Sequence, residues 1–207
     1  MRTVKQPEIR KNEILDTAEK LFAEKGFDKA TVNDILEAAG IAKGTFYHYF
    51  KSKEEALNAI VRRRIDEGLE KAKAIAADTR LSVEEKLLSV IMAQKPQNPV
   101  QEEFTAVLNE QGNSLLHQKM ITSIILELGP VLADIIKEGI SQSILHTDFP
   151  RESVEIILTA ALVLFDDAYF RWSEEELSRR ISAFICAMER IHGAEPGSLA
   201  RFTAAFG

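Results

Sequence analysis

Apolar residues recur along this chain at the three- and four-residue spacing of amphipathic helices. The first clear stripe consists of Ile14, Leu15, Ala18, Leu21 and Phe22. Gly26 follows this stripe at the place where a left-handed residue commonly ends a helix. No segment alternates apolar and polar residues with the period of two that half-buried strands require. The pattern therefore predicts an all-α fold with nine or ten helices.

Capping-box pairs mark the expected beginnings of four helices. In each pair a Ser or Thr is followed three residues later by Asp or Glu, so that each side chain can bond the backbone N–H of the other residue. The pairs are Thr31 and Asp34, Ser52 and Glu55, Ser82 and Glu85, and Ser173 and Glu176. They predict helices over 32–39, 53 to about 77, 83–92 and 174–192.

Glycine and proline divide the remaining chain into further helices. Gly129-Pro130 is expected to separate two helices, because proline lacks the N–H that a helix interior needs. Residues 193–207 are expected to form a loose tail. The other helices are expected over 43–50, 101–111, 114–128, 131–144 and 152–170.

Composition limits the class of protein. The chain has 207 residues, 45% of them hydrophobic, which suits one large domain or a small domain joined to a larger one. No apolar run approaches the roughly 20 residues that cross a bilayer, and no apolar signal segment opens the chain. The single cysteine, Cys186, leaves no internal disulfide and is expected to be a buried small hydrophobe. We expect a cytoplasmic protein.

Charge is unevenly distributed along the chain. The net charge is −6, but residues 1–68 carry 13 basic and 12 acidic side chains and are close to neutral. The acidity therefore belongs to the C-terminal two-thirds. A near-neutral N-terminal part can still present a basic face to nucleic acid if its charges are sorted in space.

The stretch from Lys43 to Phe50 has two different faces when it is placed on a helix. The apolar face consists of Phe46, Tyr49 and Phe50. The other face consists of Lys43, Gly44, Tyr47 and His48, with Thr45 at its border. A cation, a phenol and an imidazole suit the phosphates and base edges of DNA. Because a glycine costs roughly 1 kcal/mol inside a helix, Gly44 indicates a place where another molecule approaches the backbone closely.

The order of elements around this stretch is that of a helix-turn-helix motif. A helix over 32–39, a turn at 40–41 and the helix over 43–50 follow one another, and the second helix of such a motif enters the major groove. Thr31 and Lys53 begin the flanking helices and are expected to contact phosphate, one through its hydroxyl and helix amides and one through its charge. The expected base readers are Lys43 and Thr45, and the further phosphate contacts are Tyr47 and His48.

Residues 9–57 resemble the DNA-binding domain of the TetR/AcrR family of bacterial regulators. The resemblance is carried by Ile14-Leu15, Ala18 to Phe22, Gly26-Phe27, Thr31-Val32, Ile35, Ala38 to Gly40, Lys43 to Phe50 and Ser52 to Glu54. Ala42 departs from the pattern, since the family often has a serine there that would cap the short helix and contact phosphate. The resemblance fades beyond about residue 70.

The resemblance implies a homodimeric transcription factor, usually a repressor, that binds a palindromic operator in double-stranded DNA and is released by a small molecule. It implies a helix-turn-helix DNA-binding domain over residues 1–52 and a ligand-binding and dimerisation domain over residues 53–207. The last two long helices, about 152–170 and 174–192, would form a four-helix interface in the dimer. No cofactor is expected.

Particular contacts are expected from this resemblance and from the apolar stripes. The small-molecule contacts are expected at Met92, Phe104, Leu108, His117, Met120 and Tyr169. For His117 a core or partly exposed histidine is the favoured alternative. The dimer contacts are expected at Leu158, Leu162, Phe165, Ile181, Phe184 and Met188, which form a seam, interior core or both. Arg2 and Lys5 either contact the minor groove or phosphates of DNA or belong to a disordered tail. The acidic C-terminal part favours a cationic or neutral effector.

Two other classes of function stay open on the sequence. One is a helical interaction protein of the same fold without specific DNA binding. The other is an enzyme, because Glu189 and His192 have the Glu-x-x-His spacing of di-iron ligands in helical bundles. Such a site needs two of these motifs and two more carboxylates, whereas the chain has one motif. Asp166 and Asp167 are expected to face water or the dimer axis, so neither enzyme activity nor a metal is expected.

Overall fold

The computed structural model describes residues 7–108, 114–167 and 169–205. Across these ranges the chain forms nine α-helices, a C-terminal 3-10 helix and no strand, which confirms the all-α prediction. The elements are α1 (Pro7–Lys25), α2 (Val32–Ala39), α3 (Lys43–Tyr49), α4 (Lys53–Ala76), α5 (Val83–Ala93), α6 (Pro99–Leu108), α7 (Ser114–Ser141), α8 (Pro150–Leu164), α9 (Glu174–His192) and the 3-10 helix Ala200–Ala205. Arg2 and Lys5 lie outside the described residues. None of the described helices is long and apolar enough to cross a membrane.

The chain divides into two compact units by packing. Unit 1 consists of Met1–Arg64 and Pro96–His117, and unit 2 consists of Ile65–Lys95 and Gln118–Gly207. Two helices, α4 and α7, contribute residues to both units. This division differs from the functional boundary expected at residue 53, because α6 packs on α1 within unit 1. The functional boundary itself stays a prediction.

The core of unit 1 is built from the stripes predicted for the first three helices. Ile14 and Phe22 of α1, Ile35 of α2 and Phe46 of α3 are fully buried. Gly40 ends α2 in the left-handed conformation (φ 61°), which a glycine adopts without the steric penalty of a side chain. These contacts fix α3 by its apolar face.

A buried carboxylate joins three helices of unit 1. The Glu19 side chain of α1 is 11% exposed and accepts hydrogen bonds from Arg63 Nη2 (2.9 Å) and Arg64 Nε (2.8 Å) of α4. Arg64 also donates to the Gln101 carbonyl of α6 (3.3 Å), and its guanidinium lies 4.4 Å from the centroid of the Phe104 ring. Glu19 and the two arginines therefore tie α6 to α1 and α4.

Three of the four predicted capping boxes are complete. They begin α2, α5 and α9, where the Ser or Thr hydroxyl and the acidic side chain three residues later each accept a backbone N–H. At the start of α4, Ser52 Oγ accepts from the Glu55 N–H (3.2 Å) as expected. The Glu55 carboxylate instead accepts from the Lys51 N–H (2.6 Å), so this box is only half formed.

The core of unit 2 combines α5, α7, α8, α9 and the 3-10 helix. Val83, Ile135, Leu145 and Phe202 are almost completely buried there. The only charged residue of α5 that lies in this core is Lys86, which donates to both carboxylate oxygens of Glu138 on α7 (2.6 and 2.9 Å). That pairing offsets the cost of removing an ammonium group from water.

The predicted break at Gly129-Pro130 is wrong, because α7 continues from Ser114 to Ser141 with Pro130 inside it. Proline removes the N–H that would bond the carbonyl of Leu126. Leu126 is 58% exposed, so water can reach the backbone there. Leu128 and Leu132, on the two sides of the proline, are both buried. Burial of the α7 face outweighs the roughly 3 kcal/mol that proline costs in a helix.

The expected helix over 152–170 ends earlier, at Leu164. The indole Nε1 of Trp172 donates to the Leu164 carbonyl (2.9 Å) and so satisfies one of the orphan groups at the end of α8. The Trp172 ring stacks on Phe170 with centroids 5.0 Å apart, and the Arg180 guanidinium lies 3.4 Å from its centroid. An aromatic and cationic stack therefore holds the connection between α8 and α9.

The expectation of a loose tail over 193–207 is also wrong for its described part. Buried Glu189 of α9 accepts hydrogen bonds from the N–H groups of Gly197 (2.9 Å) and Leu199 (3.0 Å). Leu199 and Phe202 are then buried in the core of unit 2. A carboxylate that bonds two amides thus fixes the segment after α9.

Cys186 was expected to be buried but is exposed on α9. Its neighbours Ile185 and Met188 face the core, so the cysteine occupies the opposite side of the helix. The buried apolar face of α9 is therefore narrower than expected, since it does not include Cys186.

Candidate nucleic-acid interface and internal cavity

The outward face of α3 carries the side chains expected to contact DNA. Lys43, Gly44, Tyr47 and His48 are exposed, and Thr45 is half-buried. The Tyr47 side chain is 46% exposed, and the Lys43 ammonium lies 5.9 Å from its ring centroid. Polar and aromatic groups thus gather on one side of a helix whose other side is buried by Phe46. Their contacts with DNA stay predictions.

Gly44 has open space where a side chain would project. A Cβ atom built on Gly44 has no neighbouring atom within 4 Å. The fold of unit 1 therefore does not require glycine at this position, and its backbone is not left-handed. The approach of another molecule to this backbone, which would account for a poor helix former inside α3, stays a prediction.

Thr31 and Lys53 are already engaged within unit 1. The Thr31 hydroxyl donates to Asp34 Oδ2 (2.7 Å) and accepts from the Asp34 N–H (3.1 Å). The Lys53 ammonium donates to the Phe27 carbonyl (2.6 Å) and lies 4.2 Å from the Phe27 ring centroid. A phosphate contact by either side chain would therefore be added to, or compete with, these bonds.

Asp34 also pairs with Lys25 (2.8 Å). The Lys25 ammonium, followed by the bonds from Thr31, holds the pKa of Asp34 well below its usual range. The Asp34 carboxylate in the capping box of α2 therefore stays negatively charged throughout the pH range in which proteins are ordinarily handled.

Unit 2 contains a cavity of about 230 Å³ that is partly open to solvent. Its walls come from α5, α7, α8, α9 and the 3-10 helix. Sixteen of its 18 lining residues are apolar, and the remaining two are Gln94 and His192. A cavity with such walls suits an apolar molecule, because water needs two to four polar partners to be held.

The two polar lining residues differ in their surroundings. Gln94 is exposed, and its amide donates to the carbonyls of Gly68 (3.3 Å) and Val90 (3.2 Å). His192 is 4% exposed, and its Nδ1 lies 3.0 Å from the Met188 carbonyl. Burial lowers the pKa of His192, so its imidazole is neutral at pH 7.

None of the six side chains expected to contact the small molecule lines this cavity, although all six are described. Phe104, Leu108 and His117 are buried in unit 1. In unit 2, Met92 and Tyr169 are exposed and Met120 is half-buried. Their assignment as effector contacts stays a prediction without support from the cavity's position.

The residues expected at the dimer seam lie largely inside one chain. Ile181, Phe184 and Met188 are buried in the core of unit 2. The half-buried members Leu158 and Leu162 line the cavity, and Phe165 packs edge-on against Phe184 with ring centroids 5.3 Å apart. Within a single chain these residues therefore belong to the interior core, which was one of the two alternatives. Their part in a dimer stays a prediction.

Glu189 and His192 do not form a metal site. Glu189 bonds the amides after α9, whereas the Nδ1 of His192 faces the Met188 carbonyl. Within the ranges that the structure describes, no group of three His, Cys, Asp or Glu side chains is placed to hold a metal ion.

Two family models match the chain. The model described as bacterial regulatory proteins of the tetR family matches residues 14–60, and the model of the tetracyclin repressor-like C-terminal domain matches residues 97–187. The chain belongs to the TetR family. The TetR family consists of transcriptional regulators that bind DNA and is not a family of enzymes.

Curated relatives of this TetR-family chain include named bacterial regulators. The HTH-type transcriptional repressor KstR2 of Mycolicibacterium smegmatis is 40% identical over 91 residues, which are 44% of each chain. The chain thus matches less than half the length of that repressor. The fatty acid metabolism regulator protein of Bacillus subtilis is 23% identical over 82% of this chain and 86% of its own.

Solved structures share the fold of this chain. The fatty acid degradation regulator FadR from Bacillus halodurans aligns with a TM-score of 0.62 at 25% identity, over 77% of this chain and 83% of that one. CprB from S. coelicolor aligns with a TM-score of 0.59 at 19% identity, over 98% of both chains. The second likeness shows the fold alone.

Proposed function

We propose that this TetR-family protein represses transcription by binding an inverted-repeat operator as a dimer and is released when an apolar molecule fills the cavity of unit 2. The observation that carries the DNA-binding part is the outward face of α3, where Lys43, Gly44 and Tyr47 are exposed while Phe46 is fully buried. A recognition helix needs this combination, because it must be fixed by one side and readable by the other.

Repression rather than another role is supported by the name of a curated relative. KstR2, which is 40% identical over 91 residues, is named a repressor. Dimeric helix-turn-helix proteins place two recognition helices in the major groove, roughly 34–36 Å apart for half-sites one turn apart. The operator is therefore expected to be an inverted repeat.

The proposed dimer surface is the exposed side of α8 and α9. Ile156 is 60% exposed on α8, and Ala183 and Cys186 are exposed on α9, which packs beside it. Small residues allow two helices to approach closely, and an exposed isoleucine supplies apolar area. A second copy of the chain is the occupant that the operator symmetry requires.

We expect Ala183→Glu to weaken the dimer at least about tenfold, because it places a carboxylate where two apolar helix faces meet. Sedimentation equilibrium measures the change. Ala74→Glu on α4 is the matched control, since Ala74 is exposed and lies outside the proposed surface. If both variants stay as dimeric as the parent chain, the surface is assigned wrongly.

Release by a ligand is supported by the course of α7. Its residues Ile124, Leu128 and Leu132 line the cavity in unit 2, while its first residues belong to unit 1. A molecule that changes the position of α7 in the cavity would therefore act on a helix whose first residues belong to unit 1. The ligand must bind the DNA-free state more tightly than the DNA-bound state, or no release follows.

The experiment that tests this function is selection of bound sequences from a random DNA pool at two salt concentrations. Phosphate binding without sequence preference falls steeply with salt, whereas a specific site persists. Enrichment of an inverted repeat is the expected result. Folded protein that enriches no sequence would instead favour a helical interaction protein that keeps the TetR fold.

A further inference from the structure

A carboxylate lies in the first turn of α2, beside a side chain that is expected to meet a DNA phosphate. Asp34 Oδ2 accepts hydrogen bonds from the Thr31 N–H (2.8 Å) and from the Thr31 hydroxyl (2.7 Å). Thr31 is exposed and Asp34 is half-buried, so both residues lie at the protein surface. A phosphate that approached Thr31 would therefore meet a second negative charge, and like charges that share a site repel each other.

The single hydrogen of the Thr31 hydroxyl is directed to this carboxylate. An ionised carboxylate can only accept, so the hydrogen between Thr31 Oγ1 and Asp34 Oδ2 is the one that threonine donates. The same hydroxyl oxygen accepts from the Asp34 N–H (3.1 Å). Phosphate oxygens are acceptors as well. A phosphate contact by the Thr31 hydroxyl therefore requires its hydrogen to turn away from Asp34.

Lys25 gives the carboxylate a partner that does not depend on Thr31. Its ammonium donates to the other oxygen, Asp34 Oδ1 (2.8 Å). Lys25 is the last residue of α1, and from there its side chain reaches the first turn of α2. If the Thr31 hydrogen turns to a phosphate, Asp34 keeps a charged donor, and such charge-assisted hydrogen bonds are stronger than neutral ones.

The ammonium also balances the negative charge that would repel a phosphate. The hydrogen bond with Asp34 raises the pKa of Lys25, and the bond from Lys25 is the largest cause that lowers the pKa of Asp34. Both side chains are therefore charged at neutral pH. The pair lies at the surface, where ion pairs contribute little to folding, so its removal should leave the chain folded.

We propose that Lys25 is a positioning residue for operator binding: by pairing with Asp34 it neutralises the carboxylate in the first turn of α2 and frees the Thr31 hydroxyl to bond a DNA phosphate. The proposal rests on the DNA binding proposed above. It adds to that function a residue of α1 that is not among the predicted DNA contacts and that acts through Asp34.

The experiment is gel-shift titration of the full chain and its variants with the selected operator. We expect Lys25→Gln to weaken operator binding at least about tenfold, because it leaves the Asp34 charge unbalanced in both subunits of the dimer. Lys25→Arg keeps the positive charge and should retain most of the affinity. Lys20→Gln is the matched control, because Lys20 also belongs to α1 and pairs with an exposed carboxylate, that of Glu24 (3.8 Å).

A double variant separates this role from a direct contact between Lys25 and DNA. Asp34→Asn removes the negative charge, while its new amide oxygen can still accept from the Thr31 N–H. Adding Asp34→Asn to Lys25→Gln should therefore restore the affinity to within about twofold of the parent chain, since the two residues act as one unit. The double variant also has the net charge of the parent chain, because it loses one positive and one negative side chain.

The salt dependence of binding gives a second readout on the same proteins. If Lys25 contacts no phosphate, the double variant and the parent chain should lose affinity with salt at the same slope. A direct phosphate contact by Lys25 would instead lower that slope by about one per subunit, and Asp34→Asn would not restore the affinity.

The outcomes also distinguish this proposal from the proposed function. If the parent chain binds the selected operator and Lys25→Gln binds it equally well, the function stands and the role of Lys25 is wrong. The same conclusion follows if the double variant stays as weak as the single one. If the parent chain selects no operator, both the function and the role of Lys25 are wrong.

Discussion

Replacing Glu19 by alanine is expected to lower the free energy of unfolding by about 3–5 kcal/mol. The substitution leaves the guanidinium groups of Arg63 and Arg64 without the carboxylate that accepts their hydrogen bonds in a largely buried position. Removing one partner of a buried pair is costly, because the remaining charge has lost its water. Arg63 keeps its pair with Asp16 (2.7 Å) and Arg64 keeps the Gln101 carbonyl (3.3 Å), so the lower end of this range is expected. Urea denaturation at pH 7 measures the change.

Glu24→Ala is the matched control for Glu19→Ala. Glu24 belongs to the same helix and forms an ion pair with Lys20 (3.8 Å), but both of these side chains are more than half exposed. Exposed pairs contribute roughly 0–1 kcal/mol, so this variant should be almost as stable as the parent chain. Equal effects of the two substitutions would mean that Glu19 does not hold unit 1 together.

Gly44→Ala is expected to weaken operator binding at least about tenfold while leaving the chain as stable as before or more stable by up to about 1 kcal/mol. The new methyl group meets no atom of the chain within 4 Å, so the folded state tolerates it. Alanine is also the better helix former. A loss of affinity can then come only from a molecule that approaches the backbone at this position. Gel-shift titration measures the operator affinity, and thermal denaturation measures the stability.

Ala42→Ser separates a steric effect from an effect of helix stability. The N-cap Ala42 of α3 makes no side-chain hydrogen bond, and a serine there should stabilise the helix by about 1 kcal/mol. It adds no atom at Gly44, so operator affinity should be kept or raised. Unchanged affinity of the Gly44→Ala variant would show that DNA does not approach this backbone.

The local features of the fold were predictable because their causes are local. Spacing identified the faces of α1, α2 and α3, and the pairs Thr31 with Asp34 and Ser173 with Glu176 marked helix starts through bonds three residues apart. The exposure of Tyr47 followed from the apolar face opposite. Such features depend on a few neighbouring residues, so a single sequence contains the information.

The cavity could not be predicted in the same way. A stripe shows which side of a helix is buried but not against which partner, so Phe104 was assigned to a pocket although it packs in unit 1. The continuation of α7 through Pro130 depends on burial by distant helices. His192 was weighed as a metal ligand with Glu189, yet it shares the buried face of α9 with Ile181, Ile185 and Met188. A histidine on that apolar stripe was the signal in the sequence that could have identified His192 as a buried polar residue.

The stack at the end of α8 gives the protein a built-in optical reporter. Trp172 is the only tryptophan of the chain, and its indole bonds the Leu164 carbonyl while Arg180 lies over its ring. The emission of this ring depends on those two neighbours. Leu158, Ala161 and Leu162 on the same helix line the cavity. Filling of the cavity, and loosening of α8 from α9, should therefore be visible in the intrinsic emission of the unlabelled protein, and the signal would come from a single known place in the fold.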